Sequence, residues 1–299
     1  MADSCDVSVI IPVFNEAQNL GQLLDRLKSV RLSAAEVIVV DDGSTDASAE
    51  IAEKSGARVV RHPYNIGNGA AIKNGIRAAR GRLLVLMDGD GQHQPEDIPK
   101  LLAGLGRYHM VVGARAKGSN LRFHRYAANM IYNAFASYVT RFKVQDLTSG
   151  FRVLSRKDAL KFIDLLPNTF SYPSTLTLAF LRSGLPVQYV PIQTLYRSGQ
   201  SKISLIADGI RFFLIITKIA TLFSPFRVFL PVSAFFFVSG MVYYLYTYIT
   251  EGRFTNMAVF LLTTGVIIFM MGLVSEQIAL LRMEQRSFFP PSTNDRDSE

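Results

Sequence analysis

The 299-residue sequence predicts an α/β domain built on a mostly parallel sheet, followed by an amphipathic interfacial helix and a two-helix transmembrane hairpin. Three observations lead there. Short β-branched runs alternate with helical patterns as far as Lys202, and nearly all the long apolar runs come after Leu205. The mean hydropathy is +0.20 and only 19% of residues are charged, which is too apolar for an ordinary soluble enzyme.

The elements follow in order. Val7 to Pro12 (VSVIIP) and Glu36 to Val40 (EVIVV) read as strands, with helical spacing between them at Leu20, Leu23, Leu24 and Leu27. Strand, helix, strand is the unit of a parallel sheet. It continues through Arg58 to Arg61 and Arg82 to Met87, with Gly69 to Ala79 as the intervening helix, so helices are expected on both faces. Such sheets bind ligands beyond the carboxyl ends of their strands, and acidic residues gather there: Asn15 and Glu16, then Asp41 and Asp42, then Asp88 and Asp90.

Val228 to Ile249 is uncharged over twenty-two residues, and Met257 to Val274 over eighteen more, running on to Leu281 past Ser275 and Glu276. Each can cross a hydrocarbon core of about 30 Å at about 1.5 Å per residue. Tyr243, Tyr244, Tyr246 and Tyr248 are expected in an interfacial belt, and Glu276 at a helix end near the headgroups. Arg211, Lys218 and Arg227 precede the first span and Arg282 and Arg286 follow the second, while the loop has only Arg253, so both termini are expected in the cytoplasm. Ser204 to Phe226 is also apolar, but Arg211 and Lys218 would each cost about 2.5–3.5 kcal/mol at a helix centre. With Ser204 and Asp208 they share one helical face, which fits an interfacial helix ending before Pro225 or one packed on the globular domain. The expected organisation is therefore a cytoplasmic domain over 1–202, interfacial helices over 203–227, a hairpin over 228–281 and a polar tail over 282–299.

Charge narrows the partners. The net charge is +8, but basic residues are dispersed and many flank apolar runs, which favours anionic lipid or an anionic substrate over nucleic acid. Cys5 is the one cysteine, so no disulfide scaffold forms within the chain and a reducing compartment is expected. The polar start, Met1 to Asp6, does not read as a secretory signal.

Asp88-Gly89-Asp90-Gly91-Gln92-His93 ends a buried-looking strand, and its two carboxylates and a carboxamide can turn hard oxygens to one point, as Mg²⁺ or Mn²⁺ requires. A cation held by so few protein oxygens completes its shell with phosphate, which implies a diphosphate-bearing substrate. In Asp41-Asp42-Gly43-Ser44-Thr45-Asp46, Ser44 and Asp46 read as helix caps, whereas the paired carboxylates could accept bonds from a ribose or base. Asn65 to Gly69 contains G-x-G without the dinucleotide spacing, and no GxxxxGK[ST] occurs.

SVIIPVFNE, VVDDGSTD, NIGNGAAIKNG, MDGDGQHQPED, GAR, DLTSGFR and G-x-SK occur in the order seen in family 2 glycosyltransferases, over residues 7 to 202. The chain most resembles their polyprenyl-phosphate branch, the dolichol-phosphate mannose synthases and undecaprenyl-phosphate glucosyltransferases, and its hairpin resembles members with two spanning helices. The resemblance implies a GT-A, Rossmann-like fold, a nucleotide-sugar donor, a divalent cation, inversion at the anomeric carbon and a homo-oligomer. It also implies that Pro12, Phe14, Glu16, Val40, Asp42 and Gly89 form the donor nucleotide pocket, and Asp88, Asp90 and Gln92 the metal and diphosphate site. Arg115, Arg197 and Lys202 would then pair with phosphates or donor, although Arg197 stands one residue nearer G-x-SK than is usual in the mannose synthases. Arg122 and Arg125 are assigned to the acceptor phosphate, or else form a solvated basic turn.

A lipid phosphate is already anionic near neutral pH and needs no strong base. Asp146 in DLTSGFR would position acceptor or sugar, act as a base, or cap its own turn. Processive polysaccharide synthases share the DDGS and D-x-D segments but carry Q-x-x-R-W, which a chain without Trp cannot contain. Another lipid or glycan hydroxyl acceptor, and a catalytically silent nucleotide-sugar-binding membrane scaffold, are the remaining alternatives. The resemblance implies a donor of GDP-mannose or UDP-glucose type.

Overall fold

A computed structural model describes residues 6–32, 34–115, 123–169, 171–195, 221 and 224–288, with the side chains of 123–129 and 282–288 excepted. It divides into two units, Met1–Ile203 and Ser204–Glu299.

In the first unit β1 (Val7–Val13) is buried along its whole length, because it lies between β2 (Ala35–Asp41) and β4 (Leu83–Leu86) and is covered on both faces. That double burial is why it reads as an unbroken apolar run. Val9, Ile11 and Val13 meet Leu20, Leu23, Leu24 and Leu27 of α1 (Ala17–Ser29) on one face. Ile10 meets Ile72 and Ile76 of α3 (Asn68–Ala78) on the other. Each buried leucine of the α1 stripe contributes about 2 kcal/mol. Pro12, lacking an N–H, sits where β1 has outrun β4, whose pairing stops at Ile10.

The chain continues through α2 (Ser48–Lys54), β3 (Arg58–Arg61), α4 (Ile98–Leu102), β5 (Met110–Arg115), α5 (Phe123–Thr140), β6 (Arg152–Ser155), α6 (Arg156–Phe162), α7 (Tyr172–Arg182) and β7 (Val187–Ile192). Ser155 accepts from the Asp158 N–H and so caps α6. The seven strands form one sheet in the order β3-β2-β1-β4-β6-β5-β7. It is parallel except for β6, which runs against both β4 and β5. In this unit the expected strands and helices are present with ends shifted by at most one residue, and the sheet is mixed.

The second unit is an antiparallel pair, α8 (Pro225–Glu251) and α9 (Asn256–Phe288), joined by a turn at Gly252, whose φ is +66°. Both are long and apolar enough to cross a membrane, and most of their large side chains face outward, Phe235, Val242, Ile249 and Phe260 among them. Close approach comes from small residues: Gly240 lies against Leu261 and Leu262, Gly265 against Phe237 and Gly272 against Phe229. Ser233 donates to the Gly265 carbonyl at 2.8 Å, leaving no polar hydrogen toward lipid. Glu276, expected simply at a helix end, accepts the Phe226 N–H at 3.1 Å, in the first turn of α8 where N–H groups lack helical partners. Of the expected interfacial stretch, 203–220, 222 and 223 lie outside the described residues.

Candidate active site

Because β1, β2, β4, β5 and β7 run one way, their carboxyl ends share one edge, and antiparallel β6 enters the sheet from that same edge. Geometry therefore collects FNE, DDGS, DGDGQH, Arg115 and DLTSG on one rim.

The loops after β1 and β2 are tied to each other. Asn15, at φ +55°, donates its N–H to Ser44 Oγ, and its Oδ1 accepts from the Thr45 N–H at 2.8 Å. The Glu16 N–H donates to Ser48 Oγ and the Ala17 N–H to Asp46 Oδ2. Ser44, expected to cap the following helix, bonds across to Asn15; Asp46 Oδ1 accepts from Ser48 N–H at the start of α2 while Oδ2 reaches α1. Phe14 is left 45% exposed on this rim, and Glu16 accepts from Asn19 Nδ2. Pro12 and Val40 pair in register, and the Val40 side chain lies wholly in the core with Ile10 and Ile72.

Asp42 is buried, and its carboxylate is engaged from inside the protein. Its Oδ1 accepts the Ile66 N–H at 2.9 Å and lies 2.7 Å from His62 Nδ1; Oδ2 accepts the Gly67 N–H at 2.8 Å. Asn74 Nδ2 reaches His62 Nε2 at 2.8 Å, which fixes the tautomer in which Nδ1 donates to Asp42. The glycine-rich segment is thus held by Asp42. Gly67 has φ +122° and faces the Asn168 carbonyl so closely that no Cβ fits.

At the end of β4 the arrangement differs. Gly89 packs against the Pro12 carbonyl, and the Asp90 carboxylate accepts the Gln92 N–H at 3.1 Å. A Cβ on Gly150 would collide with both Asp88 carboxylate oxygens, so the glycine is what lets that carboxylate stand where it does. His93 stacks on Phe151 with ring centroids 5.2 Å apart, and its Nδ1 is 3.9 Å from Asp88 Oδ2. Burial pushes His93 down to about 4, with Arg115 adding and Asp90 and Asp146 opposing, so the ring is neutral near pH 7.

Beside it, Arg115 forks onto Asp146. Nε meets Oδ2 at 2.8 Å and Nη2 meets Oδ1 at 2.9 Å, while Nη2 also donates to Thr148 Oγ1. Burial works to raise Asp146, but the Arg115 fork overrides it and holds the carboxyl below the usual carboxylate range. Asp146 Oδ1 also accepts the Thr148 N–H, so the turn-capping role is present together with the ion pair. After β7, the Leu195 N–H donates to the Gln92 carbonyl and Gln94 Nε2 to the Gln193 carbonyl. Arg122, Arg197 and Lys202 lie outside the described residues; Arg125 falls on α5 with its side chain outside them.

The residues present fit a divalent cation in donor chemistry: hard oxygens from Asp88 and Asp90, the Asp88 carboxylate standing where a Cβ on Gly150 would be. Among the described residues no three His, Cys, Asp or Glu side chains converge, so such a cation would draw its remaining ligands from Gln92, diphosphate and water.

Residues 8–162 match the profile of Glycosyl transferase family 2. The chain belongs to that family. This glycosyltransferase also matches the GtrB C-terminal hairpin over residues 224–281, and it is a membrane protein. An uncharacterised protein of Methanocaldococcus jannaschii is 33% identical over 64% of this chain and 82% of its own length. A dodecaprenyl-phosphate galacturonate synthase of Rhizobium johnstonii is 34% identical over 54% of this chain and 51% of its own. An undecaprenyl-phosphate 4-deoxy-4-formamido-L-arabinose transferase of Pseudomonas aeruginosa is 28% identical over 94% and 87%. The family 2 chain thus spans only about half the length of the Rhizobium relative. Among solved structures, glucosyl-3-phosphoglycerate synthase from Mycobacterium tuberculosis, in complex with Mn²⁺, UDP-glucose and phosphoglyceric acid, superposes with a TM-score of 0.58 at 22% identity, covering 72% of this chain and 78% of that one. It shows the GT-A fold.

Sequence reasoning assigned no role to His62, Asn74, Thr148 or Gly150. Only Gly150 carried a signal, a glycine directly after the polar turn of DLTSGFR.

Proposed function

We propose that this glycosyltransferase moves a hexose-type sugar from a nucleotide sugar, of GDP-mannose or UDP-glucose type, to a membrane polyprenyl phosphate with inversion. The observation that carries the reading is a family 2 domain and a hairpin long enough to span a membrane in one chain. The names of the Rhizobium and Pseudomonas relatives, each a polyprenyl-phosphate sugar enzyme, support it.

Two titratable groups on the rim fit the same acceptor. A sugar hydroxyl must lose a proton as it attacks, and a general base serves best with a pKa near the working pH. Among the described rim residues, His93 is buried and pushed down to about 4, and Asp146 is pinned to Arg115 below the carboxylate range. A phosphate oxygen arrives already negative and asks only for alignment. In this reading the Asp146 fork aims Arg115 at incoming or departing phosphate, and Arg122, Arg125, Arg197 and Lys202 are proposed as further phosphate partners. Pro12, Phe14, Glu16, Val40, Asp42 and Gly89 are proposed to shape the nucleoside side, Val40 and Asp42 from behind it. Asp88, Asp90 and Gln92 would hold Mg²⁺ or Mn²⁺, which when bound supplies Lewis-acid stabilisation of the departing nucleoside diphosphate. The catalytic unit and both termini are proposed to be cytoplasmic.

The test uses membranes carrying the full chain, radiolabelled donors and added undecaprenyl or dolichyl phosphate. The donors are UDP-glucose, UDP-galactose, GDP-mannose and UDP-N-acetylglucosamine, with the galacturonate and formamido-arabinose nucleotides that the relatives' names point to. Label should enter organic-extractable lipid only when polyprenyl phosphate is present. Transfer to a hydroxyl acceptor, or donor binding without transfer, would overturn the reading.

A further inference from the structure

From Tyr126 to Thr140 α5 has no charged residue, polar Asn133, Ser137 and Thr140 share one flank, and the apolar faces of such a helix are normally buried. One side is: Tyr132, Ala136 and Val139 are buried. The other is not. Met130 is 57% and Ile131 60% exposed, and Ala134 and Tyr138 are exposed with them. At about 3.6 residues per turn these four fall within roughly 100° of arc, a continuous apolar stripe. Phe142, 38% exposed just past the helix end with its ring stacked on Tyr189, continues it, and exposed Arg141 and Lys143 flank that end.

We propose that this face of α5 docks on the bilayer, with Arg141 and Lys143 on anionic headgroups. Three features choose lipid as its cover. A bilayer is always within reach of a chain with two membrane-spanning helices. The charged groups flanking the stripe have the sign that anionic lipid attracts, and α5 has no acidic residue. A stable protein partner needs roughly 20–30 residues a side, whereas the stripe offers five side chains, enough to seat a tethered domain but too few for a protein interface.

The docking would matter to the site through Asn133, on the flank of the same helix. Its Nδ2 donates to the Gln145 carbonyl and its Oδ1 accepts the Leu147 N–H, both at 2.9 Å or less, so it grips the turn that carries Asp146 from either side. A helix resting on headgroups would hold that turn at the level where a lipid phosphate lies; this last step rests on the lipid-acceptor reading above.

Full-length protein with Cys5→Ser and either Ile131→Cys or, as the control on α2, Lys54→Cys would be labelled with an environment-sensitive fluorophore. It would then be placed in nanodiscs of phosphatidylcholine and phosphatidylglycerol, with and without doxyl-labelled lipid. The Ile131 probe should emit to the blue and be quenched by doxyl lipid about threefold more strongly than the Lys54 probe, as for a side chain buried about 5–10 Å into the interface. Equal quenching at the two sites would overturn the proposal. So would a blue-shifted Ile131 probe that doxyl lipid does not quench, since protein, a second copy or the 203–227 segment, would then cover the face. Ala134→Cys, a smaller change on the same stripe, repeats the reading if Ile131→Cys does not fold. The readout is depth and not transfer, so failure here is distinguishable from failure of the donor and acceptor assay.

Discussion

At the end of β2, the Asp42 side chain is 4% exposed and its oxygens meet two backbone N–H groups and a histidine; at the end of β4, the Asp88 side chain is 32% exposed and faces the space that Gly150 leaves. Both follow apolar parallel strands of one mixed sheet, and both sit beside a second carboxylate and a glycine. What separates them is the chain that comes back over each. NIGNG returns over β2 with N–H groups pointing at the carboxylate and closes it; DLTSG returns over β4 with a glycine, whose missing Cβ makes the place that the Asp88 carboxylate takes. In the proposed reading, a carboxylate at a strand end is thus made structural or chemical by its neighbour's backbone.

If that contrast is right, substitutions at the β4 end should cost rate and those at the β2 end should cost stability. The largest effect is expected for Asp90→Ala. Transfer should fall about 10³-fold even at saturating Mg²⁺, with the thermal midpoint little changed, because the residue is only half-buried and in the proposed reading serves an electrostatic task. Near-normal transfer in the radiolabel assay would remove the metal assignment. Gly150→Ala comes next. Its methyl would push the Asp88 carboxylate aside, and a displacement of about 1 Å at a reacting centre costs about 10²-fold. Single-turnover rates against melting temperature will show whether the loss is in chemistry or in folding.

Asp146→Asn should lower transfer by about tenfold to a hundredfold, since the amide keeps the shape but not the fork that orients Arg115. The same carboxyl has a pH signature. Its folded value lies below the unfolded one, so its contribution to stability is complete above the ordinary carboxylate range and is lost as pH falls through the lower folded value. The variant should therefore show a shallower loss of stability on acidification. A denaturation series at several acidic pH values checks this; identical slopes would mean that the ion pair does not persist in solution.

The alternating elements and the acidic rim were legible because the signals are local: β-branched runs, leucines at helical spacing, carboxylates at strand ends. The antiparallel β6 was not. Arg152–Ser155 is four residues long, and nothing near it in sequence says that it will lie between β4 and β5. Nor was the engagement of Asp42, since His62 and Gly67 stand 20 and 25 residues downstream and join it only when β3 and α3 fold back. Ser44 misled for the same reason: a serine before a helix looks like a cap, and its partner, Asn15, lies 29 residues upstream. The spanning helices were readable from length alone, but the role of Glu276 at the start of α8 depends on a partner 50 residues away.

The smallest effect on rate is expected where the sequence pointed to the donor. In Asp42→Asn one amide oxygen can replace one carboxylate oxygen, but the amide nitrogen then faces either the Gly67 N–H or the Ile66 N–H, donor against donor. Losing a charged acceptor for a buried N–H costs about 2 kcal/mol. For a unit of about 200 residues that is a fall in Tm of about 4–8 °C. Transfer per folded molecule should change less than about tenfold, because both carboxylate oxygens are already engaged by His62 and the glycine-rich loop. A variant that melts like the parent yet transfers about 10³ times more slowly would reverse the contrast, placing Asp42 against the ribose and making the β2 end as chemical as the β4 end.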